Sequence, residues 1–165
     1  MNNHSSSKVR IKDFIPLIVI FSIIIAFTVI RQLQQGWHLV NAMHDFMGSF
    51  FIIFGSFKIY NWSAFAQAYG TYDIIAKRST LYAYAYPIIE LALGTAYLLH
   101  LFPVAINVIT LVIMIIGSIG IAKELSKRHT IVCACLGVVF KIPMTYVTLL
   151  EDLLMALMAF IMLYL

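Results

Sequence analysis

The sequence predicts an all-α integral membrane protein, a helical bundle with about five hydrophobic spans. Three observations carry this. Hydrophobic residues make up 62% of the 165-residue chain and charged residues only 11%, against about 45–50% and 25% in soluble domains. A chain of this size has too little interior to hide so much apolar surface from water. The apolar runs also approach the roughly 20 residues that cross a bilayer, and they lack the apolar–polar alternation of a membrane β-barrel.

The first predicted span covers residues 14–30 and follows Lys8, Arg10 and Lys12. It is longer than the apolar region of a cleaved leader and has no small-x-small cleavage site after it, so it reads as a retained anchor. Residues 32–41 form a short loop. The second span, 42–60, carries His44 and Asp45 near its start and Lys58 near its end, where a lysine can snorkel to the membrane surface. Residues 62–79 are half-polar, with Phe65, Ala66, Tyr69 and Tyr72 at helical spacing, and are expected along the inner surface. The third span, 81–102, contains Glu90 and His100. A tight turn leads to Pro103, suited to the first position of a fourth span, 103–122. The fifth span, 148–165, follows a basic loop and a short apolar segment, 130–141, that is too short to cross. The whole chain reads as one membrane domain with a polar tail at residues 1–13.

The positive charges are distributed one-sidedly. Of the eleven Lys and Arg residues, all but Arg31 fall on the same side of a five-span topology. That side is the expected cytoplasmic one, which places the N-terminus in the cytoplasm and the C-terminus outside it. The net charge of +4 is therefore a topology signal, and nucleic-acid binding is not implied.

The chemistry-bearing residues begin with the only two cysteines, Cys133 and Cys135, one residue apart in the short apolar segment. A CxC pair closes a small, strained disulfide, the kind that tends to be labile and catalytic. The same pair can present two thiolates to a soft metal such as copper, zinc or mercury. Arg128, His129 and Lys141 flank it and favour the thiolate, the reactive form in either case. Two small buried hydrophobes remain the structural alternative.

Ionisable residues within spans come next. Tyr82, Tyr86, Glu90, Gly94 and Tyr97 fall on one helical face, so Glu90 either carries protons or fixes packing by hydrogen bonding. His44 is a proton relay or a soft-metal station in the metal reading, or simply an interfacial residue. Glu151 and Asp152 open the last span. Thr148 and Glu151 read as a capping box; alternatively Pro143 starts the helix, placing Glu151 two turns inside the membrane on a stripe with Met155, Met158 and Met162. Such a methionine stripe is more often packing than a copper path.

Several stretches resemble the MauE/DoxX-like membrane proteins: residues 43–48 and 54–58, 65–73, 75–79, and 86–94 with its Tyr-Pro-Ile-Ile-Glu sequence. Cys133-Ala-Cys-Leu-Gly137, then Phe140-Lys-Ile-Pro-Met-Thr145 and residues 147–152, look like the MauE branch. The resemblance spans about residues 41–162 and implies a DoxX-like four-helix core with one extra N-terminal helix. It implies a bacterial inner-membrane protein associated with disulfide maturation of partner proteins alongside a thioredoxin-like protein. Quinone-coupled oxidation, linked to DoxX-like relatives, makes a quinone the candidate cofactor. Carried onto this chain, the motif positions are Cys133, Cys135, Glu90, Lys141, Pro143, Glu151 and Asp152. The expected function is thiol–disulfide electron transfer through the CxC pair, making or reducing disulfides in partners. The alternative is binding or transport of copper or another soft metal by Cys133, Cys135 and His44. Homo-oligomerisation is compatible with either.

Overall fold

The computed structural model describes residues 15–126 and 145–165, excluding the side chains of 145–147. Cys133, Cys135, Lys141 and Pro143 lie outside the described residues, as do Lys8, Arg10 and Lys12. Within that range the protein is all-helical: α1 (Ile15–Gln35), α2 (Leu39–Tyr60), α3 (Trp62–Tyr69), α4 (Thr80–Leu98), α5 (Pro103–Ser126) and α6 (Thr145–Met162).

The helices assemble by close packing of aromatic and small side chains. α1 lies antiparallel on α2, with Phe21 against Phe46, Phe50 and Phe54. α2 and α4 are antiparallel neighbours brought together by glycine. A methyl group on Gly48 would meet Leu98 at 2.7 Å and the Gly94 carbonyl at 3.0 Å, and one on Gly94 would meet the Gly48 carbonyl at 3.0 Å. Without a Cβ at either position the two backbones approach directly. α5 pairs with α6, and α6 also touches α2. The main core gathers Met47, Phe51, Phe54, Tyr97, Met114 and Met155 between these helices. Met155 and Met162 are buried and Met158 packs against them, so the methionine stripe of α6 is core packing.

A second core lies beneath α3. Phe65, Ala66, Tyr69, Tyr72, Ala76, Ala83, Tyr86 and Ile121 pack together there. The 62–79 segment is thus anchored by its aromatic face to α4 and α5. The Trp62 indole reinforces this, donating to the Tyr84 carbonyl at 2.7 Å, three residues before Pro87 interrupts the hydrogen-bond ladder of α4. Ser79 caps α4 by accepting from the Tyr82 amide.

Polarity is inverted relative to a soluble protein. Asp45, Asp73 and Glu90 are at most 2% exposed, while Ile18, Leu33 and Leu150 are 57%, 76% and 68% exposed. An outer surface this apolar is matched to lipid. α1 and α5 are long and apolar enough to cross a membrane by length and composition; at 1.5 Å per residue the 21 residues of α1 reach about 31 Å.

Two expectations from sequence are corrected. α6 begins by Thr145, so Thr148 lies inside the helix and does not start a capping box; Glu151 is buried beyond its first turn. Lys58 does not snorkel to the surface: it is 6% exposed, because a carboxylate waits for it on the neighbouring helix.

Candidate functional site

α2 and α4 place one charge each inside the bundle. Lys58 stands near the C-terminal end of α2 and Glu90 lies midway along α4, and the Lys58 ammonium donates to Glu90 Oε1 in a buried ion pair. Charges this deep persist only as partners, since an isolated buried ion is strongly penalised. Aromatic faces also flank the ammonium: its Nζ is 4.9 Å from the Tyr86 ring centroid and 5.5 Å from that of Phe65. Both lie within cation–π range. Tyr69 stacks on Phe65 at 5.2 Å and meets Tyr86 at 4.4 Å. Burial first, then the nearby Tyr86, Tyr82 and Asp73, holds the Tyr69 phenol well above its usual pKa of 10. It is a neutral wall of the cage at physiological pH.

Beside the ion pair lies a cavity of about 20 Å³, lined by Lys58, Tyr69, Tyr86, Gly117, Thr148 and Asp152 among others, which is room for one water. Gly117 on α5 makes space for Asp152 on α6: a methyl there would come within 2.9 Å of Asp152 Oδ2. α2, α3, α4, α5 and α6 all reach this point. The chain that carries the two cysteines joins α5 to α6.

The opposite end of α2 holds a second polar cluster. His44 is 3% exposed; its ring lies 5.4 Å from Tyr97 and 4.7 Å from His100, measured between centroids. The Tyr97 hydroxyl bonds Asn107 Oδ1 at 2.8 Å and Thr110 Oγ1 at 3.1 Å. Asp45, fully buried, takes hydrogen bonds from Gln32 at 3.1 Å and Arg31 at 3.4 Å, tying α1 to α2. Among the described residues no group of three or more His, Cys, Asp and Glu side chains is placed to hold a metal ion.

Of the residues expected from sequence, Glu90 and Asp152 come to the same buried site, Glu151 is buried on α6, and His44 sits at the far end of α2. Lys58 and its cage of Phe65, Tyr69 and Tyr86 were not anticipated. A signal did exist: Lys58 and Glu90 are opposite charges in adjacent apolar spans, each without an obvious partner on its own helix.

Residues 36–165 match the family described as methylamine utilisation protein MauE. The chain belongs to the MauE family of membrane proteins. No curated protein and no solved structure matches it significantly. The MauE match opens at Gly36, immediately after the last residue of α1, so α1 lies wholly outside the region that defines the family. Every side chain of the Lys58 site falls inside the MauE region, as do both cysteines.

Proposed function

We propose that this MauE-family protein is a multi-pass protein of the bacterial inner membrane that exchanges electrons with partner thiols and disulfides through Cys133 and Cys135. The observation that carries the reading is the Lys58–Glu90 pair in its aromatic cage. The pair adjoins a water-sized cavity that also contains Asp152, on the helix directly following the cysteine segment. Thiol–disulfide exchange moves protons as well as electrons, and a buried carboxylate beside a held cation is suited to accept and return one. When Glu90 takes a proton, the π faces of Tyr86 and Phe65 continue to stabilise the ammonium.

The exchange balances as follows. One cysteine thiolate attacks a partner disulfide; the partner S–S bond breaks, a mixed disulfide forms, and the departing partner thiolate is protonated. The second cysteine, deprotonated, attacks the mixed disulfide, closing the Cys133–Cys135 bond and releasing the second partner thiol. Two electrons pass to the partner, and the two protons lost by the cysteines end on its thiols. In reverse, the same steps oxidise a partner dithiol. In the reducing direction a thioredoxin-like dithiol or a quinol returns two electrons and two protons to the Cys133–Cys135 disulfide; in the oxidising direction a thioredoxin-like disulfide or a quinone takes them from the dithiol. Glu90, Glu151 and Asp152 handle protons, and Lys141 favours the thiolate.

The cytoplasmic side is assigned to the end bearing Lys58, Lys77, Arg78 and Lys123. Arg31 stands at the other end, where Asp45 offsets its charge.

The test is a thiol-trapping redox titration of Cys133 and Cys135 in membranes, with and without Cu(I). Reversible two-electron oxidation at a defined potential, indifferent to a copper chelator and slowed in Glu90→Gln, supports the proposal. A pair that stays reduced throughout and is shielded from alkylation by Cu(I) replaces it with soft-metal binding.

A further inference from the structure

At the end of α5 the turn following α3 and the last turn of α5 enclose a pocket of about 500 Å³. Its walls include Tyr72, Lys77, Arg78, Lys123, Glu124 and Ser126. Three features show that the pocket is built into the fold. Gly120 lets the turn rest directly on α5, since a methyl there would meet the Tyr72 carbonyl at 2.7 Å. Asp73 Oδ1 holds the turn in shape by accepting from the amides of Ile75 and Ala76 at 2.9 and 2.8 Å. Lys77 closes one side through its ion pair with Glu124 at 2.5 Å.

That pair accounts for one cation and the only acid among the described residues of the lining. Arg78 and Lys123 form no ion pair among the described residues, so the described lining carries an excess of two positive charges. Its position determines what can satisfy them. α5 is one of the two helices apolar and long enough to cross a membrane, and Lys123 lies in its last turn. The last turn of a helix that crosses a bilayer lies near the lipid phosphates. Arg78 offers a planar fork for two phosphate oxygens and Lys123 a point charge.

We infer that this pocket binds the headgroup of an anionic phospholipid, with Arg78 and Lys123 on its phosphate. Basic pockets between spans at the cytoplasmic face are suited to such headgroups. A bound lipid would clamp the turn after α3 against α5 and so brace one wall of the Lys58 site, through Tyr72. The inference does not depend on the thiol chemistry.

The experiment is native mass spectrometry of the purified full-length protein, offered phosphatidylglycerol and phosphatidylcholine in equal amounts. The protein should retain phosphatidylglycerol preferentially. Arg78→Gln/Lys123→Gln should reduce that preference by about thirtyfold, at roughly fivefold per cation, while Arg78→Lys/Lys123→Arg should keep most of it. Thermal unfolding of each variant checks that it remains folded, since neither side chain is part of the packed core. Equal retention of the two lipids, or an unchanged preference in the glutamine variant, overturns the inference. So does full displacement of the lipid by millimolar inorganic phosphate, which would assign the pocket to free phosphate.

Discussion

Lys58 and Glu90 illustrate how residue-level chemistry governs this protein. Each alone is an unfavourable choice for a span, and together they are tolerated because neither ion is left uncompensated. Lys58→Met should therefore destabilise the protein by about 3–5 kcal/mol by stranding the Glu90 carboxylate. Lys58→Met/Glu90→Leu should recover most of the loss, as measured by thermal unfolding in detergent. Thiol exchange should remain slow in the double variant, because the proton carrier is gone. Exchange at the wild-type rate in that variant would remove Glu90 from the proposed mechanism. Individual ionisable residues in the spans were legible from sequence; of these Glu90 is buried against Lys58 and Asp152 lines the adjoining cavity. The Lys58 partnership was not, because a lysine near a helix end satisfies the snorkelling pattern equally well and only the position of α4 distinguishes the two.

At the scale of elements, glycine decides which helices touch. Gly48 and Gly94 face each other across α2 and α4 with no room for a side chain. Gly94→Val should push these helices apart and cost about 1–3 kcal/mol. It should also lengthen the Lys58–Glu90 contact, since that ion pair bridges the same two helices. The outcome is read as a lower unfolding temperature together with altered exchange; a variant as stable as the wild type would mean that α2 and α4 are not held by this seam. Helices were readable from hydropathy because lipid forces backbone groups to pair within each segment. α3 and its turn were harder to read. Their aromatic spacing suggested a surface helix, and the partner for that apolar face turned out to be α4 with Ile121 of α5.

At the scale of the whole molecule, α1 stands apart. It lies outside the MauE region and holds to α2 through the phenylalanine contacts and the Arg31–Gln32–Asp45 network. Removing residues 1–35 should destabilise the remainder mainly by leaving Asp45 buried without Arg31 and Gln32. Adding Asp45→Asn to the truncation should restore much of the stability, as read from membrane expression and thermal unfolding. If the single truncation is already as stable as the full chain, the network does not hold α1 in place. Topology is tested separately: a C-terminal reporter that is active only outside the cytoplasm should be active, and one at the turn after α3 should be silent.

The sequence by itself determined the helical membrane class, the order of the long helices and the family. The class and the helix order follow from composition and local periodicity, which a bilayer enforces residue by residue; the family follows from the resemblance of particular stretches, such as residues 86–94. Only the tertiary structure decided that Lys58 meets Glu90, that Asp152 lines the cavity beside them against Gly117, and that His44 lies beside His100 at the opposite end. Those pairings depend on which helices become neighbours, and that is set by glycine seams and aromatic packing between segments far apart in the chain.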